Sequence, residues 1–543
     1  MVTKQEWRWV ALCAVAFIAL LAAPVAWAWR APPAGWQLYK TWAYGGDYTQ
    51  YRSALAQGYD GAWLIVNRFT PEPHTPILQY PLYVALGHIA RWLHLPIEIP
   101  YILASAAAIV TLAWAIYVCA ATFLPEPRDR KLAFLLTLSV GPAWLLSVVQ
   151  ALIPAATFLD RYKNAFNRPE VNTFLLFAAA PHLPLALAIL LTSMATLYRQ
   201  WEAGEHLPVW RFILSYILLP ALLGLLNPFS LPTMLLPLGL WWIVRAVRAR
   251  RILWREALPL LAIGLTALPL FVYNLLTFTQ DPFWGKAYGS QNYQISFPPD
   301  VVLMGYGVMG LLAIIGAVQM WRARPDARFA SFYVIVVILM GYIPVTYQRR
   351  FSLGLAPVLA VLAVAGWRWI AGQRWVRAGR QRRLVRVLGS VALILALWGQ
   401  NIMFYSAYVM SHLGVGATPY AVFQPRALAA AAAYLDAQGE AVIVLTCEEP
   451  GNLLAGEIRG RLVIGHGAAT LNAKQRRQEI SGFFSGALSA AEREAVLRKY
   501  HTTHILTSQA ETLECALAFA PPADWTLVFE QDAISVYTVH STQ

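Results

Sequence analysis

Eleven runs of about 20 mostly apolar residues occupy the first 407 positions of this 543-residue chain. A helix needs a run of that length and polarity to cross the ~30 Å hydrocarbon core of a bilayer at 1.5 Å per residue. The runs are 9–29, 99–124, 132–152, 176–198, 211–226, 229–247, 257–278, 301–320, 329–347, 351–367 and 387–407. In lipid each backbone polar group must be satisfied within its own segment, which leaves helices as the way to use such runs. The expected fold class is therefore a polytopic α-helical membrane protein with about eleven transmembrane helices. Composition agrees, with 58% hydrophobic and only 13% charged residues, where a soluble domain carries roughly 25%. A soluble enzyme is excluded.

The net charge of +14 would suggest nucleic acid if the basic residues formed one face or a tail. Instead they lie in clusters between the apolar runs: Arg128, Arg130 and Lys131; Arg245, Arg248, Arg250, Arg251 and Arg255; Arg322, Arg324 and Arg328; and seven arginines from Arg368 to Arg386. Lys and Arg concentrate in cytoplasmic loops, and with these spans every cluster falls on the side of the N-terminus. Up to residue 407 the excess of positive charge is +18, and over 408–543 it is −4. This places the protein in the cell membrane with its N-terminus cytoplasmic and 408–543 extracytoplasmic. The first run, preceded by Lys4 and Arg8, reads as a retained signal-anchor. The segment 77–93, which holds His88 and Arg91, is read as a helix lying at the outer interface.

On this topology residues 31–98 form a long first outer loop. Its centre is GGDYTQYRSALAQGYDGAWLIVNRFTPEPHTPILQYPLY. Gly45 and Gly46 permit a tight turn, and Asp47 suits the N-cap of a helix running through Tyr48, Tyr51 and Arg52. Asp47 is also a carboxylate a short linker beyond the first span, at headgroup height. There it could serve as a general base, which must lie within hydrogen-bond reach of an acceptor hydroxyl. Glu72 and His74 in TPEPH add a second acid and a phosphate or metal partner, or simply belong to a proline-stiffened loop.

The first span, this acid-bearing loop, the many further spans and the external C-terminal domain together resemble the GT-C class of membrane glycosyltransferases. That class includes protein mannosyltransferases, aminoarabinose transferases and oligosaccharyltransferase catalytic subunits. The resemblance implies sugar transfer from a polyprenyl-phosphate donor to a glycan, lipid or protein acceptor, with Asp47 as base or acceptor-orienting acid. It also implies a second acid from the next large outer loop, 153–175, where Asp160 is the choice. Position 48 is Tyr, so no DD, DE or DxD pair is present; no cofactor is certain, and Mg or Mn is the metal such a site would take.

External basic residues stand out against the cytoplasmic clusters. Arg349 and Arg350 in TYQRRFSLGLAP suit a donor phosphate, since each guanidinium can donate two parallel hydrogen bonds; snorkelling toward lipid headgroups is the plainer reading. Lys286, in the loop 280–300, could assist them. Trp284 in the same loop could stack on a sugar, or mark the interface belt. His182, at the outer end of a span, is an intramembrane ionisable group and so a substrate-binding candidate.

From residue 408 the pattern changes to short strands at 441–446, 461–466, 503–508, 525–530 and 534–539, with helices near 425–437, 472–484 and 490–499. The expected organisation is thus a transmembrane GT-C-like domain, 1–407, and a small extracytoplasmic α/β domain, 408–543, with a partly parallel sheet and a terminal hairpin. Its role would be acceptor binding or a lid, with His466 as a site candidate. Cys447 and Cys515 both lie there and could pair in an oxidising compartment. No nucleotide fingerprint or nucleophile elbow occurs. Two other functions fit the spans: a transporter or flippase of lipid-linked precursors, and an enzyme like O-antigen ligases or polymerases. The absence of an evident internal repeat argues against the first, and the position of the largest polar loop against the second.

Overall fold

The computed structural model of the chain describes residues 2–40, 47–139, 149, 152, 153, 162, 168–291, 293–373, 382–415, 422–509 and 515–539. The chain divides into two compact units, each drawn from separate stretches of sequence. The first takes Met1–Leu20, Ser105–Tyr273 and Tyr293–Ala407; the second takes Leu21–Ala104, Asn274–Asn292 and Tyr408–Gln543.

Eight helices among the described residues are long and apolar enough to cross a membrane: Lys4–Arg30, Glu98–Phe123, His182–Ala203, Val209–Leu226, Ser230–Ala249, Trp254–Gln280, Pro299–Ala323 and Leu355–Gly372. Each overlaps one of the expected runs. Of the remaining three, 132–152 falls largely outside the described residues, and 387–407 lies within the 31-residue helix Arg382–His412. The run 329–347 contains a helix of only 13 residues, Arg328–Met340, roughly 20 Å long. It stops at Gly341, and Pro344 disfavours a helical conformation at Ile343, which keeps the helix from running on.

Within the first unit the helices Pro299–Ala323 and Leu355–Gly372 approach through glycine. A Cβ on Gly316 would lie 1.8 Å from the Leu362 carbonyl oxygen, and one on Gly366 2.0 Å from that of Leu312. Without a hydrophobic driving force between helices in lipid, such close backbone packing is what holds them together. Near one end of the unit Arg130 is buried and paired with the buried Glu6 at 3.0 Å. Arg130 also donates to the carbonyls of Leu124 and Pro125, and the Tyr117 hydroxyl donates to Glu6 at 2.6 Å. The charges therefore carry the hydrogen bonds that a buried ion pair needs.

The seven strands among the described residues all lie in the second unit. Strands β1 (Trp36–Leu38) and β2 (Phe423–Pro425) pair antiparallel, tying the start of the first loop to the start of the C-terminal segment. Strands β3 (Ile443–Leu445), β4 (Arg461–Leu462), β5 (His504–Ser508), β6 (Thr526–Gln531) and β7 (Ile534–Thr538) form one sheet in the order β4-β3-β5-β7-β6. Its β3 contacts are parallel, and β6 and β7 form an antiparallel hairpin. The helices Arg426–Ala437, Ala473–Phe484 and Ala490–Lys499 lie where the periodicity predicts them. A further helix, Glu448–Leu454, runs through Pro450 and Gly451, residues that read as breakers; proline is tolerated here because it lies in the first turn. Ile464, Phe483, Phe484 and Ile505 are buried in the sheet core, and Cys447 and Cys515 form a disulfide across 68 residues.

Residues 77–93 contain the helix Pro81–Trp92, whose 12 residues reach roughly 18 Å and do not span a bilayer. It packs against the helix Tyr48–Asp60 by mutual glycine contacts: a Cβ on Gly58 would sit 2.2 Å from the Val84 oxygen, and one on Gly87 2.2 Å from the Leu55 oxygen. Neither backbone can retreat without opening the pair. Gly58→Ala should therefore destabilise the protein by about 1–3 kcal/mol despite alanine's higher helix propensity. A lower thermal midpoint in detergent is expected; an unchanged or raised midpoint would show that the helices can separate freely.

Candidate active site

Asp47 occupies the N-cap position of the helix Tyr48–Asp60, as its sequence context predicts, yet its side chain makes no capping hydrogen bond. The first turn is held instead by its carbonyl, which accepts from the N–H groups of Gln50 and Tyr51 at 3.1 and 3.3 Å. The carboxylate lies 3.3 Å from Nε2 of His466, and its side chain is 56% exposed where the imidazole is 14% exposed. Gln50, one turn along the helix, places its amide nitrogen 3.0 Å from Nδ1 and 3.3 Å from Nε2 of the same ring. The Tyr80 hydroxyl donates to the Gln50 amide oxygen at 2.9 Å. An accessible acid thus stands against a mostly buried, hydrogen-bonded histidine.

The loop bearing His466 follows the edge strand β4 and is fastened to the loop after the first long helix. The Asn67 amide donates to the Ala469 carbonyl at 2.8 Å, and the Thr470 hydroxyl donates to that of Phe69 at 3.2 Å. Gly465 is pressed so close that a Cβ would meet the Phe69 ring at 2.8 Å. A small cleft beside these residues is lined by Gln50, Asn67, Gln79 and Tyr80. Gln50 thus faces both the acid–histidine pair and the cleft.

The neighbouring candidates are turned into the fold. Tyr48 is buried in edge-on contact with Tyr39 and Tyr101. Tyr51 is buried, stacked on Tyr83 at 4.4 Å, and burial drives its phenol well above the ordinary tyrosine range. Arg52 pairs with Glu98 and, at 2.7 Å, with Glu457, and its guanidinium lies over the Tyr39 ring. Glu72 accepts from the Thr70 hydroxyl and pairs with the buried Arg476.

His74 uses both ring nitrogens: Nε2 accepts from the Asn67 N–H at 2.8 Å, and Nδ1 donates to the Glu72 carbonyl at 2.7 Å. Its ring stacks on Phe283 at 4.0 Å, and burial, reinforced by Arg461, holds its pKa below the usual histidine value. Trp284 is buried and donates to the Thr75 carbonyl at 2.8 Å. Its helix, Pro282–Gln291, is capped by Asp281, whose carboxylate accepts from the N–H groups of Phe283 and Trp284. Lys286 is exposed on that helix.

The other candidates belong to the first unit. Arg349 and Arg350 lie in a 3-10 turn, Gln348–Ser352, ahead of the helix Leu355–Gly372. Arg349 stands over Phe297 at 5.5 Å and Arg350 over Phe229 at 4.8 Å, so both guanidiniums rest on aromatic faces. Arg350 makes no ion pair among the described residues, and its Nε is a buried nitrogen without a hydrogen-bond partner. His182 opens the helix His182–Ala203 directly after Pro181. Asp160 lies outside the described residues. Among those residues no group of three His, Cys, Asp or Glu side chains is placed to hold a metal ion.

No protein family matches the sequence, and no curated protein resembles it. Solved structures do. The Archaeoglobus fulgidus oligosaccharyltransferase in its apo form aligns with a TM-score of 0.52 at 12% identity, over 93% of this chain and 70% of that one. The same enzyme tethered with an acceptor peptide containing the NVT sequon gives 0.46 at 14%, over 93% and 69%. Archaeal oligosaccharyltransferase AglB from that organism, in complex with an inhibitory peptide and a dolichol-phosphate, gives 0.44 at 14%, over 93% and 69%. The fold is oligosaccharyltransferase-like, and the chain is a multi-pass membrane protein.

Arg52 is the residue whose loss should disturb this unit most. Replacing it with Met leaves Glu98 and Glu457 facing each other, 29% and 20% exposed. The expected cost is about 2–3 kcal/mol, less than for a fully buried pair because water reaches both carboxylates. Thermal unfolding of R52M in detergent measures it, and a midpoint equal to wild type would remove Arg52 as an anchor.

Proposed function

We propose that this chain is an integral-membrane glycosyltransferase that moves a hexosyl or pentosyl group from a polyprenyl-phosphate donor to an extracytoplasmic or lipid-anchored acceptor. The observation that carries the reading is Asp47: an exposed carboxylate that heads a helix without capping it, on an oligosaccharyltransferase-like fold. An acid spent on capping its own helix would be a structural residue; this one is exposed and stands beside His466.

In the proposed reaction Asp47 accepts the proton of the acceptor hydroxyl as that oxygen bonds to the anomeric carbon of the sugar. The bond from that carbon to the phosphate oxygen breaks, and its electron pair leaves with the polyprenyl phosphate. Lys286, in the same unit as Asp47, is the candidate contact to the departing phosphate; Arg349 and Arg350 for the donor phosphate and His182 for the substrate are the candidates the sequence supplies from the first unit. Asp160 is the candidate second acid. The disulfide Cys447–Cys515 supports an extracytoplasmic site, because such bonds persist in oxidising compartments. The arginine clusters support a cytoplasmic N-terminus.

A carrier of lipid-linked precursors is the second reading, and one feature favours it. The span Pro299–Ala323 breaks at Gly307, which has φ of 46°, and broken helices are common in transporters. Purified protein given a polyprenyl phosphate bearing a tritiated hexose or pentose decides between them. Release or transfer of the sugar supports the enzyme; movement of intact donor across vesicles without any product supports the carrier.

For the enzyme, Asp47→Asn should lower turnover by about 10²-fold or more. Arg350→Ala should weaken donor binding by about tenfold, the loss of one charge-assisted contact. Full turnover in D47N would remove Asp47 as the base.

A further inference from the structure

We propose that residues 59–93 carry a docking surface for a phospholipid leaflet, built where the end of the helix Tyr48–Asp60 meets the end of the helix Pro81–Trp92. Its apolar side chains enter the boundary between headgroups and acyl chains, and Arg91 meets a lipid phosphate. The surface is larger than the interfacial helix expected over 77–93, because half of it comes from the other helix and the loop that follows it. It stands whatever the role of Asp47.

Tyr59, Trp63, Leu64, Ile89, Trp92 and Leu93 are all exposed, Trp63 by 56% and Trp92 by 66%. From residue 422 to 539, by contrast, Leu527 is the only exposed large hydrophobic side chain among the described residues. Apolar exposure in this unit is thus concentrated rather than scattered, which marks a contact surface. The two helices that carry it are locked by the mutual glycine contacts of Gly58 and Gly87. Trp63 stacks on His88 at 4.0 Å, and Trp92 lies 5.8 Å from the same imidazole. His88 is buried, and its Nε2 donates to the Ala62 carbonyl at 3.1 Å. The ring between the two indoles is therefore fixed, and the exposed aromatics are held in place rather than loose.

The continuity of the chain names the occupant. The helix Glu98–Phe123 begins five residues after Leu93, and it is long and apolar enough to cross a membrane. Ile99 and Leu103 are exposed in its first turns, which belong to the same unit as the surface. So short a link reaches about 17 Å at most, which keeps the surface near the level where the span enters the bilayer. Tryptophan is enriched at that level.

Charge at the rim agrees. Asp60 is paired with Arg68 at 3.4 Å and Glu98 with Arg52, while Arg91 is exposed and makes no hydrogen bond or ion pair among the described residues. Its Nη1 would lie 2.2 Å from a Cβ on Gly61, so the guanidinium rests against the residue that ends the helix Tyr48–Asp60. An uncompensated arginine beside exposed indoles suits a phosphate at the edge of an apolar layer. The docked end belongs to the helix that Asp47 heads. That helix has 13 residues and is roughly 20 Å long, so anchoring Tyr59 and Trp63 keeps Asp47 within about that distance of the leaflet.

The test uses the full chain in vesicles of equal parts phosphatidylcholine and phosphatidylglycerol. Cys13 and Cys119, the free cysteines, are replaced by alanine, and a nitroxide is attached to L64C or W92C. L103C serves as the lipid reference, and K474C, on the helix Ala473–Phe484 beside the sheet, as the aqueous one. All four positions are exposed, so the fold tolerates the label. Collision with oxygen, which concentrates in lipid, is compared with collision with a nickel chelate, which stays in water.

At 64 and 92 oxygen should dominate as it does at 103, with a depth of roughly 5–10 Å below the phosphates; at 474 the nickel chelate should dominate. Dominance of the nickel chelate at either 64 or 92 overturns the proposal. Weak collision with both reagents, together with spin–spin broadening, means that a second copy covers the surface, and overturns it as well. R91E sets a carboxylate against the phosphates and should move the label at 64 several ångström toward water. An unmoved label overturns the contact between Arg91 and the phosphate.

Discussion

The second unit depends on a cation placed where few cations can afford to be. Arg52 is mostly shielded from water, and burying a guanidinium is unfavourable unless opposite charges and hydrogen bonds compensate. Glu98 and Glu457 supply them, one from the end of the first loop and one from the C-terminal segment. The pairing thus requires the two stretches to fold together. Strands β1 and β2 join them at a second place, and Asn67 and Thr470 at a third. The contact between Asp47 and His466 sits inside this frame.

Packing in the two units follows different physics. In the first, helices in lipid gain nothing from excluding water, and proximity comes from missing side chains at Gly316 and Gly366. In the second, a sheet with an apolar core gains from burying Ile464, Phe483 and Ile505. Glycine still matters there, at Gly58 and Gly87, because two short helices must lie nearly in backbone contact for the head of one to be fixed.

Most of the architecture was legible in the sequence. Apolar runs gave eight helices directly, since length and hydropathy are one-dimensional properties. The sheet was readable from alternation, and its parallel and hairpin parts from the helices between strands. The helix Glu448–Leu454 was missed because Pro450 and Gly451 look like breakers outside their context. The site was less legible. Asp47, the proposed base, stands out by its place after a span, whereas the side chains of Arg52, Glu72, His74 and Trp284 are engaged inside the fold. Their partners, Glu457, Arg476, Asn67 and Thr75, include residues some 400 positions away, and one sequence offers no pattern linking them. Gln50 and Tyr80 carried no signal at all.

The discontinuity of the second unit has a consequence for how the protein is made. Translation proceeds at about 5–20 residues per second, so the 416 residues between Gln50 and His466 take roughly 20–80 s to appear. Throughout that time Arg52 lacks Glu457, strand β1 lacks β2, and the edge of the first loop is uncovered. The earliest part of the second unit to be synthesised is thus among the last to be completed, and whatever shields it in the interval must release it when the final strands arrive.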